Sequence, residues 1–189
     1  MEITERNFSQ LSTLQYSFST CPSPSRDYLE ILIVRFWGKC GIGSRGNGDA
    51  ALMAAIAMAG VEAWLAPALI FDLQKLEYAW GDELTRVLSV KPRTFRPEYA
   101  LLQAPGAFKY PIAVIVSDLN LKGLTSLVKQ ELRKNPEDIL FDTLESALVS
   151  VDAQLHSQYG GAEPYASPNG GPTLQPGDSG VTEGPPSVS

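Results

Sequence analysis

Three short apolar runs constrain what this chain can fold into: Leu29–Trp37, Ala68–Leu73 and Pro111–Ser117. Each is rich in Ile, Leu, Val or Phe at successive positions rather than at alternate ones. A strand covered on both faces reads this way, and such strands occur in parallel or mixed sheets with helices packed on them. A further strand is expected at Leu14–Ser19, followed by a turn over Cys21–Arg26, and a short edge strand at Ile139–Phe141. Segments of helical period separate the runs. The alternation predicts an α/β domain with a mainly parallel or mixed sheet of four to five strands and about four helices.

The first helix is expected over Ala50–Leu65, with Asp49 as its N-cap. It carries almost no charge. Leu52, Ile56, Ala59 and Ala63 form one stripe, and Met53, Ala57, Gly60 and Trp64 widen it. A helix apolar on most sides must be covered on most sides, within the domain or by self-association. Pro67 ends it. A short helix is expected at Asp82–Leu88, and another carries Leu121, Leu124, Leu127, Val128 and Leu132 until Asn135-Pro136. A last helix has Asp142 as its cap, Glu145 as reciprocal partner, and the stripe Leu144, Ala147, Leu148, Val151, Leu155. Residues 89–110 read as a long Pro-containing loop, a lid or contact surface. Residues 1–13 read as a flexible N-terminus, 14–156 as the domain, and 157–189 as a disordered acidic tail. That tail is dominated by Gly, Pro and Ser and has no Lys or Arg.

With 189 residues, the chain has room for one domain and extensions. Its net charge of −6 argues against nucleic acid, whose phosphates call for clustered Lys and Arg. The basic residues are scattered, apart from Arg93 and Arg96. Cys21 and Cys40 make no disulfide framework, His156 is the only histidine, and no metal-ligand spacing or cofactor motif occurs. MEITERNFSQ is unlike a signal peptide, and the longest apolar run, Ala50–Ala68, is interrupted by Glu62. A soluble, cytoplasmic protein is expected.

Loops leaving the carboxyl ends of parallel strands gather at one edge. Gly38–Asp49, Lys75–Asp82 and Ser117–Gly123 are three such loops. They are expected to bring Lys39, Asp118 and Lys122 beside Glu77, Tyr78, Trp80, Gly81, Asp82 and Glu83, a surface suited to a partner protein. The alternative for this segment is structural: Tyr78 and Trp80 plug the top of the sheet and Asp82 caps the next helix. Gly41-x-Gly43-x-x-Gly46 follows a strand and precedes a helix, as a dinucleotide loop does, and with Arg45, Asn47 and Asp49 could take an anion. Its last glycine is misplaced for that fingerprint, and Asp72 lies before the end of the next strand. The plainer reading is a loop whose glycines take positive φ. No catalytic signature appears: Ser117 has no histidine base nearby, a carboxylate pair of Asp72 with Asp82 or Glu77 has no pocket, and Cys40 reads as structural. The chain is read as a binding module rather than an enzyme.

The order strand, strand, helix, strand ending in Asp-Leu, short helix, strand, helix, short strand, helix resembles the STAS domain of anti-sigma-factor antagonists, over residues 14–155. Leu69-Ile-Phe-Asp-Leu-Gln-Lys-Leu-Glu-Tyr78 looks like that family's central strand, Ala79-Trp-Gly-Asp-Glu-Leu84 its regulatory loop, and Phe141-Asp-Thr-Leu-Glu-Ser-Ala-Leu148 its closing helix. The resemblance implies a non-enzymatic regulatory module that binds a protein. It departs from the family at the switch: Ala79, Trp80, Gly81 and Asp82 hold no phosphorylatable residue. A weaker resemblance, from the glycine-rich stretch before an Ala-rich helix, is to crotonases, the enoyl-CoA hydratase family. It implies an enzyme using loop 38–49, although no paired glutamates can be matched.

Overall fold

A computed structural model describes residues 3–90 and 110–159. Residues 91–109 of the expected loop and 160–189 of the expected tail lie outside the described residues.

Among the described residues the chain forms a five-stranded sheet in the order β1-β2-β3-β4-β5. The strands are β1 (Gln15–Ser23), β2 (Arg26–Lys39), β3 (Leu69–Glu77), β4 (Ile112–Ile115) and β5 (Leu140–Phe141). β1 runs antiparallel to β2, and β2 through β5 are parallel neighbours. The helices are α1 (Asn47–Trp64), α2 (Leu84–Val87), α3 (Leu121–Gln130) and α4 (Leu144–Tyr159). This is an α/β fold with a mixed sheet, in the element order on which the STAS resemblance rests.

Alternation along the strands divides the core in two. Leu32, Val34, Phe36, Leu69, Phe71 and Val114 face α1, α2 and α3, where Met53, Ile56, Ala57, Val87, Leu124 and Val128 complete the larger cluster. Their neighbours Ile31, Ile33, Ile70, Ala113 and Ile115 turn to the opposite face, against Ala147, Val151 and Leu155 of α4. Burial of both faces explains why the strands read as continuous apolar runs.

Several expected boundaries move. β1 runs on through Cys21 and Pro22, and the turn shrinks to Pro24 and Ser25, because the antiparallel ladder continues to Ser23 opposite Arg26. Proline is tolerated there because β1 is an edge strand. Asp49 is not the cap of α1: a 3-10 turn over Gly43–Gly46 leads directly into the helix, so Asp49 falls in its first turn. The buried face of α1 runs through Met53, Ile56, Ala57, Gly60 and Val61, leaving Ala59, Ala63 and Trp64 exposed. At α4 the cap is Thr143 rather than Asp142, with the Ser146 amide donating to Thr143 Oγ1 at 3.2 Å. Leu144 is exposed as well.

Candidate functional site

β3 outruns its neighbour. β4 stops at Ile115, opposite Asp72, whereas β3 continues to Glu77, paired only with β2. Buried carbonyls on the overhang need donors that the sheet no longer supplies. Asn120, 1% exposed, provides them: its amide nitrogen donates to the carbonyls of Leu73 at 2.5 Å and Leu76 at 2.9 Å. Its Oδ1 accepts from the Ser117 amide at 3.1 Å, and Ser117 Oγ donates to the Gln74 carbonyl at 2.7 Å. The start of α3 is thereby fastened to the end of β3. Sequence reading missed Asn120. A polar residue directly before a helical run is a cap signal, but here the side chain serves another strand.

The loop after β3 is held on both sides. The Tyr78 amide donates to the Leu119 carbonyl at 3.3 Å, and the Cys40 amide donates to the Glu77 carbonyl at 2.9 Å. Gly123 permits the closest approach, since a Cβ there would stand 2.7 Å from the Ala79 carbonyl oxygen and 3.0 Å from the Tyr78 ring. Gly43, at φ 56, turns its backbone under the Trp80 ring, 3.3 Å from where a Cβ would be. The Asn47 amide, oriented to donate, reaches the Ser44 carbonyl at 3.1 Å and Glu83 Oε1 at 2.9 Å. Loops 38–49, 78–83 and 117–123 thus meet at one rim.

The expected contact residues divide at this rim. Trp80 is 65% exposed, and Lys39, Asp82, Asp118 and Lys122 are exposed too, with Gly81 and Glu83 half-buried. Glu77 belongs to β3 rather than to a loop and faces Lys39 across the strands at 3.6 Å, a solvated pair. Tyr78 turns inward, 5% exposed, with its hydroxyl donating to the Gly81 carbonyl. It shapes the loop and Trp80 offers the surface, so the two aromatics have different roles. The rim also exposes Ile42, Leu119 and Leu121, which sequence reading passed over as ordinary loop and helix residues.

The residues read as an anion cradle are arranged differently. The Gly41 amide donates to Asp49 Oδ2 at 2.7 Å, and Asp49 Oδ1 accepts from Ser12 Oγ at 2.5 Å. A carboxylate of the chain itself occupies the position in front of that glycine amide. Gly46 is buried, while Arg45 and Asn47 are exposed. The Cys40 thiol beside this carboxylate is pushed up to about 12, first by burial and then by Asp49. Burial, followed by Cys40 and Asp82, likewise raises the Tyr78 hydroxyl to about 12. Neither group is poised to lose a proton near neutrality.

Asp72 is not available as half of a catalytic pair. It is 5% exposed and accepts from Arg35 Nε at 2.6 Å. Beside the rim, between the ends of β4 and β5, lies a cavity of about 350 Å³ lined by Ser117, Asp118, Leu121, Phe141, Asp142 and Ser146, among others. Among the described residues no group of three or more His, Cys, Asp or Glu could hold a metal ion, and no helix is long and apolar enough to cross a membrane.

No protein-family model matches the chain, and no curated protein does. Among solved structures it is similar to the crystal structure of an anti-sigma factor antagonist from Mycobacterium paratuberculosis. That match has 14% sequence identity, covers 72% of this chain and 94% of that chain, and has a TM-score of 0.42.

Proposed function

We propose that this chain is a non-enzymatic, cytoplasmic interaction module that presents its carboxyl rim to a partner protein. The observation that carries the proposal is Trp80, a large aromatic ring 65% exposed on a loop held on both sides by its neighbours. Exposed aromatics on rigid supports lose little entropy on binding and are the usual anchors of interfaces. Ile42, Leu119 and Leu121 add apolar surface near it, and Lys39, Lys122, Asp82 and Asp118 supply charges of both signs at the margin. Because Ala79 to Asp82 offer no hydroxyl, no phosphorylation switch is expected at these four positions.

The test is capture from native lysate on the immobilised chain, with bound proteins identified by mass spectrometry, repeated with Trp80→Ala. We expect one dominant partner, retained at least tenfold less by the variant (about 1.4 kcal/mol per decade). The melting temperature of the variant should match that of the wild type. Equal capture by both proteins removes the rim from consideration.

A further inference from the structure

The two edges of the sheet are unequal. β5 is two residues long, whereas β1 is nine, and among the described residues no element pairs with its outer side. Natural edge strands are guarded against pairing by shortness, by lysine, by proline or by a bulge. β1 has its proline, Pro22, and its register shift at the hairpin end only. Gln15 to Cys21 is left unguarded and contains no charged residue, in a chain of net charge −6.

We propose that β1 is a self-association edge, on which a second copy of this chain pairs its own β1 antiparallel across a two-fold axis, joining two sheets into one. Charge selects the occupant. A second copy meets a neutral seam and no repulsion, whereas an acidic or basic peptide finds no counter-charge along β1. The side chains agree with this choice. Tyr16 and Phe18 meet edge to face at 5.8 Å, and Phe18 lies 4.9 Å from Trp64. Tyr16 remains 40% exposed and Trp64 45%. Antiparallel pairing about a two-fold near Phe18 continues this aromatic row from one copy into the next, and cross-strand aromatic pairs are among those that stabilise a sheet. The contact is isologous and closes at two copies. It uses no residue of the rim, so it stands or falls independently of partner binding there.

Analytical ultracentrifugation of the full chain at micromolar concentrations tests the proposal, using wild type, Ser19→Lys and Thr20→Lys. Both positions are exposed, on opposite faces of β1, and each lysine sets a charge from either copy into a seam that holds no counter-charge. The expected result is a wild-type particle of twice the chain mass and dimerisation at least tenfold weaker in each variant, with circular dichroism unchanged. A wild type that sediments as a monomer throughout overturns the proposal. So does a dimer that persists at wild-type strength in either folded variant, which would place the contact elsewhere.

Discussion

The two ends of the sheet are fastened by polar clamps of opposite chemistry. At the carboxyl end, Asn120 is buried and neutral, and it holds two carbonyls of β3 and one amide of its own loop. At the other end, Asp152 on α4 is partly exposed. It takes the Ser23 hydroxyl, the Ser25 amide at 3.2 Å and the Ser25 hydroxyl at 2.9 Å, tying the β1–β2 turn to α4. A buried clamp acts chiefly by avoiding the cost of unsatisfied groups. An exposed, charged one adds only what its bonds gain over water. The first therefore matters more and is indifferent to pH, while the second is weaker and titrates.

Replacing Asn120 with Ala should have the largest effect. Two buried carbonyls lose their donor, at a cost of about 1–3 kcal/mol for a buried group left unpaired. A loss of about 3 kcal/mol is expected in urea unfolding, with the slope unchanged. Asn120→Asp sharpens the comparison, because an ionised carboxylate cannot donate and would face carbonyl oxygens. It should be at least as destabilising as Ala at pH 7 and recover partly in acid, where a protonated carboxyl can donate once. Equal stability of wild type and Asn120→Ala would show that water replaces the amide and that the clamp is not essential.

Asp152→Asn should cost on the order of 1 kcal/mol, or roughly 2–4 °C in melting temperature for a domain of this size. Here pH separates the two clamps. Partial burial works to raise the Asp152 carboxyl, but hydrogen bonds from Ser23 and Ser25, with nearby His156, outweigh it and hold the group below its ordinary 3.8. A carboxyl whose folded value is depressed stabilises fully above its unfolded value and loses that contribution as pH falls through the folded one. The difference between wild type and Asp152→Asn should therefore be constant near neutrality and shrink below about pH 3.8. A difference that stays flat into acid would mean that the serines, not the charge, hold the turn.

The sheet and its helices were legible in the sequence because two-sided burial leaves continuous apolar runs, and because Pro67 and Asn135-Pro136 punctuate them. Both clamps were illegible for one reason. Asn120 lies 47 positions from Leu73 and 44 from Leu76, and Asp152 lies 129 from Ser23 and 127 from Ser25, separations at which no local pattern reports a pairing. The caps failed for a related reason. Asp49 and Asp142 have the right chemistry at nearly the right place, but a 3-10 turn starts the helix ahead of one and Thr143 took the position of the other. Tyr78 and Trp80, two residues apart, look interchangeable in the sequence. Only the packing distinguishes them: Tyr78 is 5% exposed with its hydroxyl on the Gly81 carbonyl, and Trp80 is 65% exposed.

The smallest effect can be read from the two cysteines, because each stands near one clamp. Cys21 is half-buried in β1, two residues from the Ser23 contact, and packs on the α4 side. Cys40 is buried at the rim. Burial raises both thiols above 9.0, with Glu30 adding to the effect at Cys21, and takes Cys40 to about 12. A shift of that size lowers the thiolate fraction of Cys40 at pH 8 about a thousandfold. A thiol reagent should therefore modify Cys21 first and Cys40 only through opening of the rim. Asp152→Asn should speed labelling of Cys21 a fewfold and leave Cys40 unchanged, while Asn120→Ala should do the reverse. Because the folded value of Cys40 is raised, its contribution to stability is complete below pH 9 and is lost as pH rises towards 12, the opposite direction from Asp152. If both cysteines accelerate together in either variant, the two ends open as one unit, and the contrast between the clamps is one of chemistry alone.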